Sequence, residues 1–211
     1  MPRIVIPVYD DVDMLDVTGP YEMFRWAKID VDLVAEESRP YKFRDGFCFH
    51  VGKTFEQVAA TKYDALWVPG GDPPALSKII KANGAYLNFL REQAEGAKKV
   101  RYVCSVCEGA MLLAGAGLLD GYEATTHWYF IPCFKKYFKN VKIADGYPRF
   151  WLDRNRLTGG GISSGLDEAL KLIMLLTDEQ TAIDVQQSTQ YYPKPPVSSE
   201  IPGDAECILQ L

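Results

Sequence analysis

Val100-Arg101-Tyr102-Val103-Cys104-Ser105-Val106-Cys107-Glu108-Gly109-Ala110 decides the fold class. The apolar, β-branched run from Val100 to Val106 reads as a buried strand, and the small residues Gly109-Ala110 open a helix directly after it. The same alternation recurs on either side. Ile4 to Val8 is a short β-branched run that ends at the acidic turn Asp10, Asp11 and Asp13. Val31 to Ala35 alternates apolar and polar residues as a half-buried strand does, and Ala65-Leu66-Trp67-Val68 is a third run, stopped at Pro69-Gly70-Gly71. Pro20 is predicted at a first helical position, where its missing N–H costs nothing, ahead of Tyr21 to Trp26. A further helix is predicted from Ala85 to Ala97.

Toward the C-terminus, Glu123 to Trp128 is predicted as a fifth strand. Phe150 to Asp153 and Arg156 to Thr158 form a hairpin around Arg154-Asn155. Two helices close the domain, their starts marked by the capping-box strings Ser164 to Asp167 and Thr177 to Gln180. Leu166, Ala169, Leu170, Ile173 and Met174 keep helical spacing in the first. Strands alternating with helices predict an α/β sandwich around a mostly parallel sheet. The predicted organisation is one domain over 1–190. A proline-rich tail over 191–211, with Pro193, Pro195, Pro196 and Pro202, lies extended on the body or on a partner.

Composition excludes other classes. With 47% hydrophobic and 24% charged residues in 211, the chain is globular rather than disordered. Its five cysteines are too sparse for a disulfide scaffold. A net charge of −5 gives no mean field that attracts nucleic acid or an anionic membrane. The apolar run Ala110 to Leu119 stops at Asp120, about half the roughly 20 residues a bilayer needs. No secretory signal precedes the first strand, so a cytoplasmic location with reduced thiols is expected.

In a parallel sheet, ligands sit beyond the carboxyl ends of the strands. Three strings are predicted there: Asp16 to Pro20, Pro69 to Asp72, and Ser105 to Gly109. Cys107 at a strand-to-helix turn faces a helix N-terminus, which would lower its pKa and favour the thiolate; the alternative is an ordinary buried cysteine. Cys104 and Cys107 form a C-x-x-C, but Cys104 lies inside the strand, and three extended residues span roughly 10 Å, too far for a disulfide. Only His50 and His127 are present, so no zinc or other metal site is expected. Gly161-Ile162-Ser163-Ser164-Gly165 matches G-x-S-x-G, yet no histidine follows residue 127, and it reads as a turn and helix cap. Gly115 to Gly121 lies in or after a helix and lacks the dinucleotide fingerprint's context. Gly70-Gly71 offers backbone N–H groups for a developing negative charge, or is a plain turn. Asp16 reads as a helix cap or surface acid, and His127 as a structural histidine.

Together these strings carry a resemblance. Leu15 to Pro20, Pro69-Gly70-Gly71, Ser105 to Ala110, Ala114 to Gly121, Ala124 to Trp128 and Leu157 to Ile162 occur in order. The series resembles the ThiJ/PfpI superfamily of class I amidotransferase-like proteins, and within it the isocyanide (isonitrile) hydratases. The resemblance implies a flavodoxin-like sandwich with a cysteine elbow, a homodimer, and a small-molecule substrate without a cofactor. It implies Cys107 as nucleophile, Asp16 as the nearby acid, and backbone N–H groups of Gly71 and Glu108 as the oxyanion site. Gly70, Thr126 and His127 are implied at the pocket, with Trp128 or Phe130 in its wall.

Glu108 departs from the pattern. Peptidase-like members carry a histidine at this position and the hydratases a threonine. Its carboxylate would oppose a neighbouring thiolate, so the side chain is expected to point away from the cysteine, the alternative being a second acid in the pocket. The reaction implied is attack of Cys107 on an isocyanide carbon with a proton from Asp16, a covalent thioimidate, and its hydrolysis to an N-substituted formamide. Two other readings remain: glyoxalase or deglycase chemistry on a reactive carbonyl, and a cysteine-based redox or ligand sensor. Related domains are fused to helix-turn-helix regulators, but no DNA-binding segment is expected after the tail.

Overall fold

A computed structural model describes every residue except Asp45 and Asp204. In chain order the elements are β1 (Arg3–Pro7), α1 (Met14–Trp26), β2 (Asp30–Ala35), β3 (Arg39–Lys42), β4 (Cys48–Val51), β5 (Lys53–Thr54) and α2 (Phe55–Val58). Then follow β6 (Ala65–Val68), α3 (Pro73–Ala82), α4 (Ala85–Glu95), β7 (Tyr102–Ser105), α5 (Gly109–Gly115) and β8 (Glu123–Ala124). A 3-10 turn (Trp128–Phe130) leads into α6 (Ile131–Tyr137), β9 (Lys142–Ile143), β10 (Phe150–Asp153), β11 (Arg156–Gly159), α7 (Ser164–Leu176) and α8 (Glu179–Ser188).

Among the described residues the main sheet has seven strands in the order β10-β11-β7-β6-β1-β2-β5. Every pairing in it is parallel except the β10–β11 hairpin, which turns at the predicted place. Helices α1, α7 and α8 pack on one another on one face, and α3, α4 and α5 on the other. Strands covered on both faces need apolar side chains at every position. Ile4, Val5 and Ile6 of β1 and all four residues of β6 accordingly have no exposed surface. This is the flavodoxin-like sandwich, and its topology brings the carboxyl ends of β1, β6 and β7 together.

Pro20 does not begin a helix. It lies in the interior of α1, which starts at Met14 behind Asp13, so Asp16 sits in the first turn of a helix and not in a strand-end loop. An interior proline leaves the carbonyl four residues back without its N–H. That carbonyl belongs to Asp16, and it accepts the indole N–H of buried Trp67 from β6 at 3.0 Å. The sheet supplies the donor that the helix lacks, and the orphan carbonyl is not left unpaired.

Other expectations are corrected at the edges. The strand predicted over Val100 to Val106 is four residues, Tyr102–Ser105. The strand predicted over Glu123 to Trp128 is only Glu123–Ala124, paired with Lys142–Ile143, because His127 ends it by capping the 3-10 turn. The last two helices start one residue away from the predicted boxes. Ser163 precedes α7 without a side-chain cap, and Asp178, not Thr177, caps α8 by accepting the Thr181 N–H. A reciprocal capping box does exist, at Thr54 and Gln57 of α2. The thiols are not all reduced: Cys133 of α6 and Cys207 of the tail form a disulfide. Cys48, Cys104 and Cys107 are free.

Candidate active site

Cys107 follows β7 with φ 55°, a left-handed conformation that costs a side-chain-bearing residue ~1–2 kcal/mol. Hydrogen bonds from three directions hold it there. Its N–H donates to Gly160 O at 2.8 Å, its carbonyl accepts the Thr126 hydroxyl at 2.7 Å, and its Sγ accepts the Ile162 N–H. The thiol is thus turned off the sheet, at the start of α5, with no exposed surface.

Two turns converge on it. The Gly70 N–H donates to Asp16 Oδ2 at 2.8 Å. A Cβ on Gly70 would collide with Glu108 Oε2 and lie 2.9 Å from Asp16 Oδ2, so only glycine lets both carboxyls close over this backbone. Asp13, Asp16, Cys107 and Glu108 each turn one donor atom inward, and these four atoms lie within 4.8 Å of one another. All four side chains are buried. A thiol with three carboxyls is a donor set that could hold a divalent cation, and it is equally a set of acids that share protons.

Burial governs their titration. Asp16 is pushed well above the usual carboxylate range by desolvation, then by Glu108 and Asp13, with the Gly70 N–H as a partial offset. Glu108 is pushed up from 4.5 to about 7 by burial, while the adjacent Cys107 thiol works in the opposite direction. The Cys107 thiol is itself raised well above its ordinary value by burial, then by Asp16 and Glu108, the Ile162 N–H opposing. This reverses the expected thiolate: α5 is a short helix, and its end effect is outweighed by burial beside acids. Glu108 does not point away. Its carboxyl turns inward, close to Gly70 and within 4.8 Å of the Cys107 sulfur.

The structure therefore brings together Asp16, Cys107, Glu108 and Gly70. Gly71 sits beside them, packed against Asp11 O and bridged to Val12. Thr126 braces the cysteine backbone and lines an adjoining pocket of about 360 Å³. His127 is in the wall of that pocket, as is Trp128, whereas Phe130 is buried in the core. The His127 ring lies against Gly161, and its Nδ1 accepts the Tyr129 N–H at 3.2 Å. Burial holds its pKa below the ordinary value. The pocket abuts Cys107 through Gly160 and Ile162, the residues bonded to the cysteine's N–H and sulfur.

Asp13 is a site residue the sequence showed only as part of an acidic turn. It is the residue ahead of α1, and Arg44 approaches it at 3.6 Å. Glu168 of α7 was also missed. It is fully buried, with its carboxyl raised by burial and by the charge of Asp16. A fully buried glutamate among the helical apolar positions of α7 was the available signal.

A turned, buried thiol between a protonatable and a proton-accepting carboxyl, at the carboxyl edge of a flavodoxin-like sheet, defines a class of cysteine-centred α/β proteins. The chain belongs to the DJ-1/PfpI family, whose profile matches residues 2–174. It is 36% identical over 202 residues to isonitrile hydratase of Pseudomonas putida, covering 94% of this chain and 82% of the hydratase. It also resembles a deglycase of Pyrococcus horikoshii, at 26% identity over 119 residues, 56% of this chain and 66% of the deglycase. The crystal structure of a ThiJ/PfpI family protein from Pseudomonas syringae superposes with a TM-score of 0.78 at 30% identity, covering 93% of this chain and 77% of the other.

Proposed function

We propose that the protein is a cysteine-dependent isonitrile hydratase-like hydro-lyase that adds water to an isocyanide, giving an N-substituted formamide. The observation that carries this reading is the convergence of the buried Cys107 sulfur with the Glu108 and Asp16 carboxyls, their donor atoms within 4.8 Å of one another, with both carboxyls raised by burial. Addition of a thiol to an isocyanide needs one proton removed from sulfur and one delivered to the isocyanide carbon. Glu108, near neutrality, takes the first as the Cys107 sulfur attacks, and Asp16 gives the second. The product is a thioimidate, with the former isocyanide carbon bonded to sulfur and hydrogen. Water then adds to that carbon, losing one proton to the ionised Asp16 while Glu108 returns its proton to nitrogen. Collapse of the tetrahedral intermediate expels the sulfur, which takes the proton its hydroxyl loses as the formamide forms. Asp16 is thereby protonated and Glu108 ionised, as at the start.

Glu108 thus replaces the hydratases' threonine with a base, so the thiol need not be ionised in the resting protein. The acids expected around Cys107 act as a proton relay in this reading. The protein is expected to work as a homodimer in the cytoplasm and to need no added cofactor. Incubation with an alkyl isocyanide, followed by formamide detection in proton NMR, tests the proposal. Methylglyoxal in a parallel arm tests the competing carbonyl chemistry, which the likeness to the deglycase favours. Lactate formation without any formamide would transfer the assignment to the second reading.

A further inference from the structure

After α8 the chain has no described helix or strand, yet it is not loose. Leu209 is 1% exposed and inserted in the core. Its carbonyl accepts the Tyr137 hydroxyl at 3.2 Å, and the Gln210 N–H donates to Ser77 Oγ at 3.3 Å. Nearer the site, the Tyr147 hydroxyl donates to Gly203 O at 3.3 Å. Cys207 is covalently tied to Cys133, which is fully buried in α6 directly after the turn that follows His127. One flank of the molecule therefore carries His127, the disulfide and the tail.

The tail also reaches the pocket beside the thiol. Ile201 lines the same pocket as His127 and Ile162, and Ile162 provides the N–H that bonds the Cys107 sulfur. Ile201 is 48% exposed, so it closes the pocket's side without filling the core. Apolar closure of a small pocket sets which substituents fit, because each added methylene must find room or displace the wall.

We infer that the C-terminal tail is a movable wall of the substrate pocket, with Ile201 its specificity-determining side chain and the Cys133–Cys207 disulfide its latch. The inference rests on the reading of that pocket as the substrate's. Opening the latch is a two-electron step. A dithiol reductant supplies two electrons and two protons, the S–S bond breaks to two thiols, and the reductant is left as its own disulfide. Cys207 then loses its covalent anchor, and Ile201 is held near the pocket by the weaker contact at Gly203, with Leu209 still in the core. In a reducing compartment the pocket is open to bulkier substituents on the isocyanide, and after oxidation it is restricted to slimmer ones.

The test measures access to Cys107 by alkylation, without using turnover. The disulfide-bonded protein is labelled at pH 9 with a small haloacetamide or a bulky aryl haloacetamide, and the Cys107 peptide is quantified. The oxidised parent is expected to discriminate strongly against the bulky reagent. Reduction by dithiothreitol followed by desalting, or the pair Cys133→Ala and Cys207→Ala, is expected to cut that discrimination several-fold. Ile201→Ala with the disulfide intact is expected to do the same, and Ile201→Trp to sharpen it. Unchanged discrimination in the Ile201 variants would overturn the inference even if the paired cysteine variant proved unstable. Changed discrimination on Ile201 substitution but not on reduction would overturn the latch. Loss of isocyanide turnover as a reading, with these ratios still shifting, would leave the tail's role intact.

Discussion

The Cys107 sulfur and a carboxyl oxygen of Glu108, the very next residue in the chain, are turned toward each other within 4.8 Å, both buried. Adjacent side chains meet this way only because Cys107 is in the left-handed region, which turns its sulfur back over the start of α5. Burial and the neighbouring carboxyls raise the Cys107 thiol above its ordinary pKa, and in the proposed reaction Glu108 is the base that takes its proton.

Glu108 should set the acid side of the pH profile. Its carboxyl is held at about 7, and it must be ionised to accept the thiol proton. The kcat/KM for an alkyl isocyanide should therefore rise through pH about 7 and fall at higher pH as Asp16 loses its proton. Glu108→Gln should lose the rising limb and about 10²–10⁴-fold in rate. A profile of Glu108→Gln that keeps its rise near neutrality would assign the base elsewhere.

The same group should make the fold less stable as pH rises. A carboxyl whose pKa is raised on folding stabilises the native state in its protonated form. That contribution is complete below about 4.5 and is lost as pH rises through about 7, worth about 3 kcal/mol for Glu108 alone. Urea unfolding at pH 5 and pH 8 should show the parent losing stability across this window, and Glu108→Gln losing less. Equal slopes for the two proteins would contradict the buried, shared-proton arrangement.

Trp67→Phe should cost about 1–3 kcal/mol beyond the change in packing, because it strands the Asp16 carbonyl. Pro20→Ala restores an N–H four residues after that carbonyl. The double variant should therefore recover part of the loss, measurable as a coupling energy from urea midpoints. Simple additivity would mean that the indole bond does not substitute for the missing helix bond.

Cys48 should react with iodoacetamide before Cys107 in the substrate-free protein at pH 7, since it is exposed while the Cys107 thiol is buried and raised. Glu108→Thr should lower the apparent pKa of Cys107 by removing both a nearby charge and the acceptor of its proton. Peptide mapping after timed labelling measures both. Faster labelling of Cys107 than Cys48 in the parent would point to a thiolate.

Much of this architecture was legible in the residues. The short runs at Ile4, Ala65 and Tyr102, with few or no charged residues, are strands because burial on both faces demands that composition. The hairpin at Arg154-Asn155 and the turn at Pro69-Gly70-Gly71 were equally plain. The misses have physical causes. Pro20 argued for a helix start, and only Trp67, far away in sequence, makes an interior proline tolerable. The strand expected at Thr125 to Trp128 was lost to local capping by His127. Cys107, Asp16 and Glu108 could be picked out as residue types at strand ends and by resemblance. Their protonation could not, since it follows from how deeply three chain segments bury one another. The link from Cys133 to Cys207 spans 74 residues and joins a helix to a tail with no periodic pattern of its own.

The most direct test of the account is rapid quenching of the protein with an alkyl isocyanide, followed by peptide mass spectrometry and assay of formamide. The account predicts a gain of the isocyanide's mass on the Cys107 peptide and many formamides formed per chain. Asp16→Asn should slow adduct formation about 10²–10⁴-fold, and Cys107→Ala should abolish both adduct and product. Formamide made at the parent rate by Cys107→Ala, or an adduct found on Cys48 or Cys104 but never on Cys107, would contradict it.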